Sequence, residues 1–67
     1  MLLTGQDNEK AVITELMKTI GSERSELIPL MLAVQDEFGY VSEFAMQFIA
    51  NQLKVPATEI YGVATFY

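Results

Sequence analysis

Three carboxylates stand close together in the middle of the chain: Asp36 and Glu37 just before Gly39, and Glu43 just after it. Oxygen ligands around a glycine could hold a hard cation such as calcium. Calcium loops present their oxygens at alternating positions and close on a bidentate glutamate, an order that this spacing does not reproduce. The ordinary reading of these acids is a solvated helix face. Beyond them the inventory is poor. The sequence has no cysteine and no histidine, so thiolate metal sites, iron–sulfur ligation and imidazole base chemistry have no residues to work with. It also lacks a glycine-rich phosphate loop and a paired nucleophile and base. No catalytic, cofactor-binding or metal-binding residue is assigned.

Residues 48–61 read as a helix-turn-helix. One helix ends near Lys54-Val55, and a second, opened by Pro56, has apolar anchors at Ile60 and Val63. DNA-binding versions lay the second helix in the major groove with polar and basic side chains outward. Here that helix offers Thr58, Glu59, Tyr61 and Thr65, with no Lys or Arg. The whole chain carries nine acidic and four basic residues, a net charge of −5. The electrostatic attraction that underlies nucleic-acid binding is then a repulsion, and anionic membrane surfaces are disfavoured for the same reason. No nucleic-acid partner is expected. A helix-turn-helix regulator stays as the rival reading, with a self-associating helical adaptor as a third.

The aromatic residues divide into two groups. Phe38, Phe44 and Phe48 are expected in the core. Tyr61, Phe66 and Tyr67 are more than a small bundle can bury together, and surplus apolar groups mark interfaces. These three are the candidate interdomain or partner contacts.

The elements that must position these residues are helical throughout. Residues 1–7 form a lead-in, and Asp7 or Asn8 can cap a first helix. Ala11, Val12, Ile13, Leu16, Met17 and Ile20 recur at helical spacing, and Gly21 suits the closing position. Ser22 or Ser25 can cap the second helix. Its apolar positions Leu27, Ile28, Met31, Leu32, Val34 and Phe38 make a stripe wide enough to imply burial on more than one side. Pro29 is tolerable in the first turn, and Gly39 ends the helix. Ser42 caps the third helix, with Glu43 at the positive end of its dipole and Val41 placed to staple onto Met46. Phe44, Ala45, Phe48, Ile49 and Leu53 supply its inner face. Pro56 pre-sets a fourth helix, where a glycine at position 62 costs about 1 kcal/mol unless another backbone packs closely there.

The expected fold is all-α: a small four-helix bundle with helices near residues 8–20, 25–38, 42–53 and 57–66, within one domain covering residues 8–67. A chain of this size buries only about 60% of its unfolded surface. The longest apolar run, 27–34, is broken by Pro29 and far shorter than the ~20 residues of a membrane helix. The first residues lack the basic flank of a signal peptide. A cytoplasmic setting without membrane insertion is expected.

Two segments carry a resemblance. Leu27-Ile28-Pro29-Leu30, continued by Ala33-Val34-Gln35-Asp36-Glu37-Phe38-Gly39-Tyr40-Val41, is similar to a segment of the 24 kDa-type subunit family of NADH dehydrogenases. Leu53, Val55-Pro56 and Glu59-Ile60-Tyr61-Gly62-Val63-Ala64-Thr65-Phe66-Tyr67 resemble a second segment of that family, in the same order. The resemblance covers about residues 10–67. Relatives occur in respiratory complex I, NAD(P)-linked hydrogenases and NAD-linked formate dehydrogenases. It implies a helical N-terminal domain preceding a thioredoxin-like domain that holds a [2Fe–2S] cluster on four cysteines. That cluster lies near the FMN of a partner subunit that oxidises NAD(P)H. No position here matches the four cysteines, so the thioredoxin-like part is expected to lie outside these 67 residues. The chain is then a piece of a longer protein or a short paralogue. What the resemblance transfers is a docking role against the flavin- and NAD(P)H-binding subunit and the cluster domain, at the membrane's cytoplasmic side where the complex is a peripheral one. The family branch, NADH against NADPH, and the terminal acceptor stay open.

Overall fold

The computed structural model describes residues 5–66, with side chains through Ala64. Four helices account for nearly all of it: α1 (Gly5–Ile20), α2 (Leu27–Phe38), α3 (Glu43–Leu53) and α4 (Ala57–Phe66). The expected all-α four-helix bundle is what forms, and α1 starts at Gly5 rather than at residue 8. Asp7 and Asn8 therefore lie inside the helix, past the N-cap position, and the charge of Asp7 meets the positive end of the helix dipole.

The junctions are set by a few backbone devices. Neither Ser22 nor Ser25 caps α2. A single 3-10 turn (Arg24–Glu26) comes first, and Glu26 takes the N-cap position without a side-chain hydrogen bond. The Glu26 amide instead donates to the Glu23 carbonyl at 2.8 Å. Pro29 is the third residue of α2, where an amide would have no acceptor within the helix. Gly39 closes α2 in the left-handed region at φ 84°, its amide donating to the Gln35 carbonyl at 2.7 Å. Ser42 caps α3 as expected: its hydroxyl accepts from the Ala45 amide at 3.0 Å and donates to a Glu9 carboxylate oxygen at 2.6 Å. The second bond ties Glu9, in the second turn of α1, to the start of α3.

Each helix contributes to one aliphatic centre. Ile13 of α1, Leu30 and Val34 of α2, Ile49 of α3 and Ile60 of α4 are the largest side chains wholly removed from water. Burial of such a side chain is worth about 1.5–3 kcal/mol. Leu27, Met31, Ala45, Ala50, Leu53 and Val55 extend the cluster. The three early phenylalanines are not part of it. Phe38 and Phe48 are half-buried at its margin, and Phe44 stacks on Phe48 with centroids 6.1 Å apart and rings 8° from parallel. A centre this small is filled by β-branched and leucine side chains, which leaves the rings to cover its edge. The close packing expected at Gly62 is also not found among the described residues. The glycine is exposed, and a methyl group added there would meet nothing within 4 Å.

Ile49→Ala should cost about 2–5 kcal/mol, comparable to the roughly 3–5 kcal/mol that a core of this size supplies. Its thermal unfolding followed by circular dichroism should lose the cooperative transition. Ser42→Ala should lower stability in urea titration by about 1 kcal/mol through the lost cap. Gly62→Ala should raise it by about 0.5–1 kcal/mol, since alanine restricts the unfolded chain and finds free space in the helix.

Candidate functional site

α2 is apolar on two faces, and the bundle buries only one of them. Leu27, Leu30, Met31 and Val34 follow helical spacing onto the core. Ile28 and Leu32, one turn apart, point away from that centre and stay 41% and 45% exposed. With Tyr40, 60% exposed in the turn after α2, they are the large apolar side chains open to solvent among the described residues. The width of the stripe was legible in the sequence, but the described helices supply no cover for its second side.

These residues share one groove. α2 contributes Ile28, Leu32 and Gln35 to its wall, the turn contributes Tyr40 and Val41, and α4 closes the far side through Val63. Its volume is about 230 Å³. Gly39 sits at the bend between the wall formed by α2 and that formed by Tyr40. Its left-handed backbone makes this bend possible.

A second feature joins the segments that carry the two walls. Arg24, in the turn before α2, pairs with Oε1 of Glu59 in the first turn of α4. Oε2 of Glu59 is buried and makes no hydrogen bond among the described residues. Because the Arg24 side chain is 67% exposed, the pair adds little stability. Its effect is positional, since it joins two segments far apart in sequence.

Of the expected interface residues, Tyr61 is half-buried on α4. Phe66 is the last residue of α4, while its side chain and the whole of Tyr67 lie outside the described residues. The groove beside α4 was not foreseen as a site. Its signal was the Ile28–Leu32 pair together with Tyr40.

The helix-turn-helix connectivity is present. α3 ends on Lys54, held at φ 58°, and α4 follows at Ala57. The cations that DNA binding needs are scattered instead of lining α4. Lys10 lies 6.0 Å from the centre of the Phe48 ring, Lys18 pairs with Glu15 at 3.2 Å, and Arg24 is engaged by Glu59. Among the described residues no group of three His, Cys, Asp or Glu side chains could hold a metal ion. No helix there is long and apolar enough to cross a membrane.

Comparison with known proteins is consistent with the two segments singled out in the sequence. The NADP-reducing hydrogenase subunit HndA of Solidesulfovibrio fructosivorans is 27% identical over 55 residues, covering 82% of this chain and 32% of that protein. An NADH-quinone oxidoreductase subunit of Escherichia coli (strain K12) is 36% identical over 59 residues, 88% of this chain and 36% of that protein. The subunit of the same name from Mycobacterium tuberculosis (strain ATCC 25618 / H37Rv) is 36% identical over 53 residues, 79% of this chain and 21% of that protein. The chain thus spans between about a fifth and about a third of the length of these curated relatives. No solved structure matches it at a significant level. A family-wide match extends from residue 13 to residue 67. Its description names a [2Fe–2S] cluster, yet the chain has no cysteine with which to ligate one, so these residues do not fit that group. By this match over most of its length, the chain belongs to the thioredoxin-like [2Fe–2S] ferredoxin family.

Proposed function

We propose that this chain is a docking domain of the small iron–sulfur subunit of an NAD(P)H-oxidising oxidoreductase, of the NADH dehydrogenase or NAD(P)-reducing hydrogenase type. It holds the subunit against the flavin- and NAD(P)H-binding partner and against the subunit's own thioredoxin-like cluster domain. The observation that carries this reading is the combination of an open apolar face on α2 with an absence of redox ligands: Ile28, Leu32 and Tyr40 are exposed together, and the sequence has neither cysteine nor histidine. Such a surface contributes binding area, and electron transfer belongs to cofactors held elsewhere in the complex. The relatives' names, which designate subunits of a hydrogenase and of a quinone oxidoreductase, support a place in a multi-subunit enzyme. Phe66 and Tyr67 are proposed to extend the contact toward the cluster domain.

The chain purified alone should be colourless and lack NADH:acceptor activity. Co-expressed with the flavin subunit, it should be retained on an affinity-tagged copy of that subunit. Phe66→Ala and Tyr67→Ala should weaken the retention or lower the melting temperature. A visible iron–sulfur spectrum from these residues contradicts the reading, as does failure of the unsubstituted chain to co-purify.

A further inference from the structure

We infer that the α2–α4 groove receives a basic amphipathic helix of a partner protein, an assignment that rests on the docking reading above and specifies its chemistry. The first ground is shape. A groove of about 230 Å³ is smaller than the roughly 300–1,000 Å³ of sites that enclose an organic ligand. It has room for an aliphatic anchor. Its open side is a pair of side chains one helical turn apart, Ile28 and Leu32, facing Val63 across the gap. A ridge of i, i+4 side chains on one helix packs against the side-chain rows of another, and a helix bound in a groove presents its own anchors at that repeat.

The second ground is charge. Residues 25–53 carry Glu26, Asp36, Glu37 and Glu43 and not one Lys or Arg. Three exposed acids flank the turn that holds Tyr40: Asp36 and Glu37 before it and Glu43 after it. Asp36 follows Leu32 by one helical turn. None of the four basic residues lines the groove; Arg24 faces Glu59, Lys18 pairs with Glu15 and Lys10 lies over Phe48. An apolar gap with an acidic rim selects an occupant with an aliphatic face and flanking Lys or Arg. A second copy of this chain brings a charge of −5 against −5 and is repelled. The partner helix therefore seats an aliphatic anchor among Ile28, Leu32 and Tyr40 and sets a cation within one turn of it, toward Asp36 and Glu43.

The test is a titration of the isotope-labelled chain with two synthetic helical peptides of equal length. One has a leucine face and a lysine face, and the other has glutamates in place of the lysines. At low salt the Leu/Lys peptide should shift the backbone amide signals of Ile28, Leu32, Gln35 and Tyr40, and the Leu/Glu peptide should not bind. Leu32→Ser and Asp36→Lys should each reduce affinity about tenfold, which corresponds to about 1.4 kcal/mol. Glu15→Lys, on α1 and away from the groove, should leave it unchanged. Because Leu32 is 45% exposed, its replacement should keep the melting temperature, which verifies that the variant is folded. Equal binding of both peptides overturns the inference, as does equal loss in Asp36→Lys and Glu15→Lys, full affinity in Leu32→Ser, or dimerisation of the free chain that protects Leu32. If neither peptide shifts the groove while the chain still co-purifies with the flavin subunit, the groove assignment falls and the docking reading stands. If co-purification fails while the Leu/Lys peptide binds as described, the docking reading falls and the groove assignment stands.

Discussion

Ile13, Leu30, Val34, Ile49 and Ile60 meet where the four helices converge, and every helix places at least one of them there. This shared aliphatic contact constrains everything else in the molecule. Helices of 10 to 16 residues are marginal in isolation, so each depends on the other three for its persistence. A chain of 67 residues provides one such centre and no more. With the inward faces of α1, α3 and α4 committed to it, the outer face of α2 has no cover among the described residues, and the Ile28–Leu32 ridge stays exposed there.

Most of the architecture was legible because it rests on local rules. The 3.6-residue apolar repeats located all four helices, Ser42 announced the start of α3, and Gly39 announced the end of α2. The misreadings have physical causes. The second helix lacks a serine cap because a 3-10 turn intervenes, and such a turn has no strong composition signal. The end of α3 near Lys54 was legible, but the left-handed backbone of that residue, uncommon outside glycine and asparagine, has no composition signal. The Lys54 amide donates to the Ala50 carbonyl, so hydrogen bonding at the helix end offsets the steric cost. The phenylalanines were placed inside on hydrophobicity alone, whereas the shape of the centre admits narrower side chains and leaves rings at its margin.

The site was harder to read than the fold. The breadth of the α2 stripe implied burial on more than one side, whereas Ile28 and Leu32 stay exposed among the described residues, because periodicity describes a single helix and does not say whether neighbours exist to cover it. Tyr40 belongs to a turn, beyond the reach of any periodic rule, and its place beside Leu32 emerges only when Gly39 reverses the chain. The gap in basic residues between Arg24 and Lys54 was present in the sequence throughout. Its meaning depends on knowing that the turn between Asp36 and Glu43 lines an apolar gap.

The Arg24–Glu59 pair has a mechanical corollary. Arg24 precedes Ile28 by one turn's length, and Glu59 precedes Val63 by the same interval. The two walls are clasped just outside one mouth of the groove, while the other mouth is formed by the turn through Gly39 and Tyr40. The clasp is exposed on its arginine side and open to screening by dissolved ions. The separation of the walls is set instead by the packing of Leu30, Val34 and Ile60 beneath them, so dissolved ions act on the attraction of anything that enters the cleft and leave its shape in place.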